Sequence, residues 1–383
     1  MTAPLPLRVI VTAQAFGFGP AAALAQVFEH LRPRIRYLAF AGAGHTCDIH
    51  MKLPYDAMHR LPDVGAAEAF GRLCASHDAA LVACDFPAAE AAKAAGIPVG
   101  IYDPIPWYWP QWPRALDSAD LYMCQDFFGV RERVRDAGRG NIVIVPSISS
   151  TRARPTVSPS RYALLNLGGL RNPYLSREDC VAYARLMLAL LPTAADLYAE
   201  VHVTTSQDIA AELRDHAPAA RTVSPREAQR LLGGSEIAAM TPGLGNIYEA
   251  AALAARVLWL PPTNDSQGQQ LVALRQRGLA PFVADWHDLL PGRAPIDYRG
   301  HEPEVIAVIG SAIRDAARDP AAALRLRELF LEAHRAPAAP NPLNPLLDDF
   351  GVGGDRIIAA TFVRRLLVPL VPSGGLAASS VME

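Results

Sequence analysis

The chain has little cysteine and almost no net charge, and both deficits exclude classes of protein. Its 383 residues carry 36 basic and 38 acidic side chains, a formal net charge of −2. A nucleic-acid-binding protein would need a clustered basic face, so nucleic acid is not expected as a partner. The cysteines show no CxxC spacing, so the sequence predicts buried, reduced thiols rather than disulfides or a zinc site. The five are Cys47, Cys74, Cys84, Cys124 and Cys180.

Long apolar runs are also missing from the sequence. No apolar stretch approaches the roughly 18 residues of a membrane span, and no charged segment followed by an apolar run opens the chain. We therefore expect a cytoplasmic protein without a membrane span. Hydrophobic residues nevertheless make up 51% of the chain, so large cores can form.

Short apolar runs alternate with helical patterns along the whole chain, which is typical of parallel sheets covered by helices. In the first half, the predicted strands are 7–13, 36–41, 79–84, 98–103, 120–124 and 141–145. A polar, proline-bearing stretch over 146–160 then has the composition of a linker. After it the alternation restarts, with predicted strands at 162–167, 199–205, 220–223, 236–240, 256–260 and 280–284.

This pattern predicts an α/β fold class with two Rossmann-like, doubly wound domains joined by a hinge. The length of 383 residues also favours two domains over one. The predicted domains are 1–149 and 161–340, followed by a C-terminal helical segment over 341–370. The tail over 371–383 is expected to be disordered.

The stretch "TPGLGNIYEAAALAARVLWLPPTNDSQGQQL", residues 241–271, carries most of the chemical signal. A predicted strand delivers Gly243 and Gly245 to the carboxyl edge of the sheet, just where the next helix begins. Uncovered backbone N–H groups at a helix N-terminus suit a diphosphate. One turn into the helix, Glu249 can accept hydrogen bonds from a ribose diol. The structural alternatives are glycines kept for backbone conformation and a solvated or capping glutamate.

A cluster of amides around one carboxylate follows the next predicted strand. Its members are Asn264, Asp265, Gln267, Gln269 and Gln270. Amides both donate and accept hydrogen bonds, so such a cluster at the same sheet edge can read sugar hydroxyls. The alternative is a helix N-terminus capped by Asp265 or Ser266.

The whole stretch resembles the donor-binding segment of GT-B glycosyltransferases, in particular the peptidoglycan N-acetylglucosaminyltransferase and the plant and bacterial UDP-sugar transferases. The resemblance implies two Rossmann-like domains facing a cleft, with a C-terminal helix that packs back on the first domain. It implies that the first domain binds the acceptor and the second the nucleotide-sugar donor.

The same resemblance assigns roles within the stretch. Glu249 would bind the ribose, and Gln269 and Gln270 would contact the sugar. Asp265 with Gln267 is the alternative register for the sugar contact. The diphosphate would lie on the turn formed by Gly243, Leu244, Gly245 and Asn246.

Further matches to the family occur elsewhere in the chain. The second domain opens with a strand and a glycine-bearing loop at Gly168 and Gly169, which would lie near the diphosphate or the sugar. The nucleotide base would pack on the loop at Val223 and Ser224.

In the first domain, the family has a glycine-rich turn after the first strand, matched here by Gly17 and Gly19 on the acceptor side. The family places a histidine in this turn, and this sequence has Pro20 instead. The usual catalytic base is therefore missing.

A group that takes the acceptor's proton must then lie elsewhere in the first domain. The candidates are His45, Asp85 and Asp103, each near the end of a predicted strand, and Asp103 is the first choice. It begins "DPIPWYWPQWP", in which Trp107 and Trp109 can contact an acceptor ring. The alternative is a proline-stiffened loop packed on the domain, and a retaining enzyme would need no such base.

The sequence therefore favours a glycosyltransferase that moves a sugar from a nucleoside diphosphate-sugar, such as a UDP-sugar, to a small-molecule acceptor of the secondary-metabolite type. No cofactor beyond this co-substrate and no metal is expected. Two other interpretations stay open: a GT-B nucleotide-sugar hydrolase or 2-epimerase, and a non-catalytic GT-B partner protein that binds a nucleotide. The sequence gives no indication of the oligomeric state.

Overall fold

The chain folds into two compact units in a computed structural model that describes residues 4–149, 162–337 and 341–371. One unit comprises Met1–Ser149 with Phe350–Glu383, and the other comprises Ser150–Asp349. Most of the predicted linker over 146–160 lies outside the described residues, as does the predicted tail beyond residue 371. Each unit has a hydrophobic core of its own.

A seven-stranded sheet with parallel neighbours forms the centre of the first unit. Its strands are β1 Leu5–Ala13, β2 Ile35–Ala43, β3 Ala57–Leu61, β4 Ala79–Ala83, β5 Val99–Asp103, β6 Leu121–Gln125 and β7 Ile142–Val145. The order β3-β2-β1-β4-β5-β6-β7 is that of a doubly wound sheet. Six strands were predicted; β3 was missed because it is a half-exposed edge strand, "AMHRL", and not an apolar run.

Six helices connect these strands and cover the sheet. The first buries Ala21, Leu24, Phe28 and Leu31, whose spacing of three and four places them on one helix face. The helices are α1 Gly19–Leu31, α2 Thr46–His50, α3 Ala66–Cys74, α4 Phe86–Ala94, α5 Ala115–Ser118 and α6 Val130–Ala137.

The second unit contains a four-stranded sheet, also with parallel neighbours. Its strands are β8 Tyr162–Asn166, β9 Glu200–Thr204, β10 Ile237–Met240 and β11 Val257–Trp259, in the order β11-β10-β8-β9. The strands predicted at 220–223 and 280–284 are only single bridges, Thr204 to Arg221 and Trp259 to Val283. Pro281 has no N–H for a ladder, and the segment 220–223 is cut short because a helix begins at Pro225.

Helices α7 to α16 follow in this part of the chain, and α16 ends at Phe350, the first residue of the segment that returns to the first unit. They are α7 Arg177–Met187, α8 Leu190–Leu197, α9 Gln207–Glu212, α10 Pro225–Gly234, α11 Leu244–Ala252, α12 Asp265–Gln276, α13 Trp286–Leu289, α14 Glu302–Arg318, α15 Pro320–Arg335 and α16 Asn344–Phe350. Two buried aromatic residues fix the chain ahead of α12. Tyr183 donates a hydrogen bond to the carbonyl of Pro261 at 2.9 Å, and Trp286 donates to that of Pro262 at 2.8 Å.

Among the described residues, one helical stretch, Arg177–Leu197, is long and apolar enough to cross a membrane by length and composition. The apolar runs in the sequence had predicted no such stretch. Half of its most apolar window is buried inside the structure, and Tyr183 and Met187 belong to the core of the second unit. The core helix of a globular unit meets the same criteria, so this stretch is weak evidence for a span.

The C-terminal helix α17 Gly354–Phe362 belongs to the first unit and packs on α1. The backbone N–H of Gly354 donates to the carbonyl of Ser147 at 2.8 Å, and Asp355 lies 3.0 Å from the Nε2 atom of His30 on α1. The ring of Phe362 is completely buried against the sheet at Gly100, where an added Cβ would lie 2.7 Å from a ring carbon. A π-helical turn, Val363–Leu367, follows the helix.

Replacing Gly100 by alanine should therefore destabilise the protein, because Phe362 must shift to admit the new methyl group. Overpacking of this kind costs about 1–3 kcal/mol of unfolding free energy, measurable by urea unfolding of the full chain. Gly140→Ala is the matched control, since a Cβ there meets no atom within 4 Å. Equal stability of the two variants would contradict this account of the contact.

Candidate functional site

The candidate donor site lies at the carboxyl edge of the second sheet, where β8 and β10 are neighbours. The chain leaves β8 for β9 on one side and later returns to β10 on the other, so the strand order reverses between β8 and β10. In open α/β sheets, ligands bind just beyond the strand ends at such a reversal. The loops after β8 and β10 therefore define where a ligand of this unit would lie.

Two asparagines hold these two loops in place. Asn166 Oδ1, at the end of β8, accepts a hydrogen bond from the N–H of Gly168 at 3.0 Å. Asn246 Nδ2 donates to the carbonyl of Thr241 at 2.9 Å. Gly168 has a φ of +64°, and a Cβ there would lie 2.8 Å from the Thr241 hydroxyl, so only glycine fits. Buried Gly169 follows, and the two predicted loops are thus brought together.

The two glycines at the start of α11, unlike Gly168, are not required by a backbone angle or by a close contact within the protein. Gly243 is the N-cap, with an ordinary φ of −72° and ψ of 147° and no side-chain cap. An added Cβ at Gly243 would approach only the Asn246 amide, at 4.0 Å, and one at Gly245 would meet nothing within 4 Å. Gly245 is exposed, and Leu244 before it is buried. Among the described residues, the start of this helix is thus open at both glycine positions, where its first N–H groups have no partner within the helix.

Glu249 lies on α11 and contacts the neighbouring helix α10. Its Oε1 atom accepts a hydrogen bond from Gln229 Nε2 at 2.8 Å. At the start of α10, Ser224 Oγ caps the helix by accepting from the N–H of Glu227 at 3.2 Å, and half-buried Val223 precedes it. The predicted ribose residue and the predicted base-binding loop therefore belong to two helices in contact.

The start of α12 is capped by Asn264, not by Asp265 or Ser266 as the sequence suggested. Asn264 Oδ1 accepts from the N–H of Gln267 at 2.9 Å. Asp265 is 2% exposed, and its Oδ1 atom accepts from the N–H of Ser266 at 2.8 Å. Gln267 Oε1 is occupied by the N–H of Thr263 at 2.9 Å. The side chains of Asn264, Asp265 and Gln267 thus stabilise the start of α12, as the alternative to a sugar-binding role predicted.

Gln269 and Gln270, one turn further along α12, have different surroundings. Gln269 Nε2 donates to the carbonyl of Tyr298 at 2.8 Å. The Tyr298 ring packs against Gly268, where an added Cβ would overlap it. Gln270 is 2% exposed, and its Oε1 atom has no hydrogen-bond partner among the described residues. Gln269 is therefore fixed by a neighbouring loop, while Gln270 has an unsatisfied buried acceptor.

In the first unit, the predicted acceptor turn contacts one candidate base. His45 Nε2 is hydrogen bonded to the carbonyl of Gly17, and the His45 ring meets that of Phe18 edge-on at 5.5 Å. Gly17 has a φ of +54°, whereas Gly19 is the first residue of α1, and a Cβ at either would meet no atom within 4 Å. The structure thus brings His45 and the turn at Gly17 together.

Asp103 ends β5 and is completely buried. Its Oδ1 atom accepts from the N–H of Ile105 at 2.9 Å, and its Oδ2 atom accepts from Trp109 Nε1 at 3.1 Å and the Tyr122 hydroxyl at 2.8 Å. Burial raises the pKa of the Asp103 carboxyl to about 6. Asp103 therefore fixes the tryptophan-rich loop, and its role as a general base stays a prediction.

The other predicted residues of this region are also engaged in packing. Asp85 is the N-cap of α4 and accepts from the N–H of Ala88 at 3.1 Å. The ring of Trp107 lies 5.4 Å from that of Phe127, and its Nε1 atom is buried without a partner among the described residues. All five cysteines are buried and unpaired, as predicted. In the described part of the chain, no group of three or more His, Cys, Asp or Glu side chains could hold a metal.

No protein-family model matches the chain, and no curated protein matches it in sequence. Among solved structures, it is similar to a putative UDP-N-acetylglucosamine 2-epimerase from Listeria monocytogenes, with 12% identity, coverage of 94% of this chain and 96% of that chain, and a TM-score of 0.51. Looser similarities connect it to the glycotransferase of kitacinnamycin (15% identity, coverage 95% and 100%, TM-score 0.46) and to MurG of Acinetobacter baumannii (14% identity, coverage 90% and 99%, TM-score 0.45).

At these identities the likeness establishes the fold alone, and the two looser similarities add nothing to it. The fold class predicted from the sequence, α/β of the GT-B type with two Rossmann-like units, is confirmed by the two parallel sheets and the first of these structures.

Four residues that shape the candidate donor site were missed in the sequence. Asn166 and Thr241 carried a usable signal, since each is the polar residue that closes an apolar run, "YALLN" and "EIAAMT". Gln229 and Tyr298 carried none, because they contact Glu249 and Gln269 from 20 and 29 residues away along the chain.

Replacing Asp103 by asparagine should destabilise the first unit. An asparagine presents an N–H where two donors converge on Oδ2, and the Trp109 indole, unlike the Tyr122 hydroxyl, cannot turn to accept a hydrogen bond. We expect a loss of about 1–3 kcal/mol in unfolding free energy, measured by thermal or urea unfolding. Asp117→Asn is the surface control, since the Asp117 side chain is 65% exposed, and it should change the stability by less than about 0.5 kcal/mol.

The same pair of proteins tests the pKa of Asp103. A folded-state pKa of about 6 lies above the ordinary value of about 3.9, so the folded protein holds this proton more tightly than the unfolded chain. The contribution of Asp103 to stability is then largest below pH 4, falls as the pH rises to about 6, and is constant above that. The advantage of wild type over Asp103→Asn should shrink across this window, and a constant difference would contradict the raised pKa.

Proposed function

We propose that the protein is a nucleotide-sugar-dependent glycosyltransferase whose donor binds at the carboxyl edge of the second sheet. The observation that carries this proposal is the pair of glycines at the mouth of α11. Neither backbone angles nor neighbouring atoms require glycine at Gly243 or Gly245. A ligand that comes close to the backbone there would explain the two glycines, because any larger residue would block its approach.

A diphosphate is the ligand group that suits this opening. The first N–H groups of a helix have no partner within the helix, and the helix dipole adds partial positive charge at the same point. Gly168, across the strand reversal, brings a second backbone loop to within contact of Thr241. Phosphate oxygens bound here would be held by backbone N–H groups, as at other helix N-termini that bind anions.

Glu249 is proposed to bind the ribose. The hydrogen bond from Gln229 fixes the orientation of its carboxylate, and a carboxylate is acceptor-only, which matches the two hydroxyl donors of a ribose diol. Val223, ahead of the helix that carries Gln229, is proposed to contact the nucleotide base through its backbone.

Gln269 and Gln270 are proposed to read the sugar. The bond from Gln269 Nε2 to Tyr298 leaves the Oε1 atom of Gln269 as its acceptor. Gln270 Oε1 is a buried acceptor without a partner among the described residues, a state that proteins rarely leave unsatisfied. The alternative register is less favoured, because Gln267 Oε1 is already occupied by Thr263. Sugar hydroxyls would then act as donors to both amides.

The first unit is proposed to bind a small-molecule acceptor through the turn at Gly17 and Gly19 and the aromatic loop with Trp107 and Trp109. Asp103 remains one candidate for the base, although its complete burial requires the loop to open before it reaches a substrate. His45 is the other candidate, and its Nε2 atom is already bonded within the unit.

A nucleotide-sugar hydrolase or 2-epimerase is the second candidate function. Two observations favour it. Asp103 and His45 are both hydrogen bonded within the first unit and not free to meet an acceptor, and one solved structure of similar fold is named as a putative 2-epimerase. Incubating the protein with UDP-sugars in the absence of any acceptor separates the two functions. A changed sugar configuration or released free sugar, seen by proton NMR, would replace the transferase proposal.

The sharpest test of the donor site is Gly245→Ala. The new methyl group meets open space in the folded protein, and alanine is favoured over glycine in a helix by up to about 1 kcal/mol. The variant should therefore be as stable as wild type, or more stable, yet bind UDP, TDP or GDP at least tenfold more weakly than wild type, on the order of 1.4 kcal/mol. Gly292→Ala, also in open space in the same unit, is the control that should bind normally.

Calorimetry with a nucleoside diphosphate and its sugar conjugate side by side tests the other assignments. Glu249→Ala should weaken both ligands roughly ten- to a hundredfold, since a charged hydrogen bond is worth about 1.5–3 kcal/mol. Gln269→Ala should bind the bare diphosphate normally and the sugar conjugate poorly. Wild-type binding of both ligands by Glu249→Ala would leave Glu249 as a residue that only joins α10 and α11.

A further inference from the structure

The first unit contains an open cavity of about 500 Å³ that none of the assignments above uses. One wall is the segment 110–112, which belongs to the loop after β5, and the other wall is a single face of α6 together with its N-cap. The lining includes Trp112, and its charged residues are Glu132, Arg133 and Asp136.

Arg133 is the central residue of this cavity. Its guanidinium carbon lies 4.6 Å from the centre of the Trp112 ring, so the two side chains are stacked. The Nε atom of Arg133 is buried and has no hydrogen-bond partner among the described residues. A buried guanidinium donor without an acceptor is costly unless a ligand or water satisfies it.

The cavity is connected to Asp103 through two aromatic rings. Trp112 meets the ring of Tyr122 edge-on at 6.0 Å, and the Tyr122 hydroxyl donates to Asp103 Oδ2 at 2.8 Å. The positive charge of Arg133 also acts to lower the pKa of Asp103, against the larger effect of burial. The cavity therefore lies beside the residue that the sequence marked as the first candidate base.

The charges of the lining select the class of ligand. Glu132 and Asp136 stand four residues apart on the same face of α6, and with Arg133 they give the lining a net charge of −1. A phosphate or a carboxylate would be repelled by the two carboxylates. Neutral hydroxyl groups suit all three side chains, because a hydroxyl donates to a carboxylate and accepts from a guanidinium. The Trp112 ring, stacked with the guanidinium, orients Arg133 for this contact.

We propose that this cavity binds a neutral sugar ring, and that the acceptor of the proposed transferase therefore carries a sugar or is one. The second half of this statement rests on the proposed function, whereas the binding of the ring does not. Arg133 donates to ring hydroxyls, and Glu132 and Asp136 accept from them.

The test uses the full chain and a panel of methyl glycosides: the glucoside, galactoside, mannoside and N-acetylglucosaminide, each in both anomers. Saturation-transfer NMR identifies a binder, and a titration gives its Kd. Arg133→Met keeps the packing on Trp112 but removes every donor, so it should weaken the bound glycoside about tenfold or more. Glu132→Ala should weaken it similarly, and its exposed helical position favours normal folding. Glu328→Ala, exposed on a helix of the other unit, is the control that should bind normally.

The outcomes separate this proposal from the proposed function. If no glycoside of the panel binds, or if binding survives both Arg133→Met and Glu132→Ala, the cavity is not a sugar site. If a glycoside binds and both variants weaken it, the site stands, whatever nucleotides do. The Gly245→Ala experiment measures nucleotide binding by the second unit, and this experiment measures glycoside binding by the first unit. The sugar-site proposal and the donor-site proposal can therefore fail independently.

Discussion

The close contact between the loops after β8 and β10 is the constraint on which the candidate donor site depends. Parallel strands bring every carboxyl end to one edge of a sheet, but they do not by themselves fix the loops that follow. Here Asn166 and Asn246 tie each loop to its own strand end, and the absent side chain of Gly168 lets the loops touch at Thr241. That contact positions the mouth of α11, and with it the two glycines, Glu249 and the start of the proposed donor-binding surface.

The two units use their sheet edges in different ways. At the edge of the second unit, the two glycines before and in the first turn of α11 meet no close neighbour among the described residues, and the groups proposed to bind a ligand are backbone N–H groups and a few amides. The edge of the first unit is filled by aromatic rings and by Asp103, whose three hydrogen bonds hold the loop over the end of β5.

The sequence was informative where a single element carries the signal. Buried parallel strands are continuous apolar runs, so ten of the eleven strands in the described part of the chain could be predicted, and with them the α/β class. The glycine turn before α11 was visible because its residues are adjacent. The sequence was less informative where contacts with other elements decide the local structure. The edge strand β3 is half-exposed, Pro281 blocks a predicted strand, and Asn264 caps α12 in place of Asp265. The partners of Asp103 and Gln269 come from other elements, and no local pattern reveals them.

The position of α17 in the first unit has a consequence for synthesis of the protein on the ribosome. Phe362 completes the core over β5, and the N–H of Gly354 donates to the carbonyl of Ser147. Gly354 and Phe362 are nevertheless made after the whole of the second unit. The second unit is continuous in sequence and can finish folding as soon as it has left the exit tunnel. The first unit is made first, but part of its apolar surface stays uncovered until α17 emerges from the ribosome. The usual order of domain folding during translation, N-terminal first, is therefore reversed for the final packing of this chain.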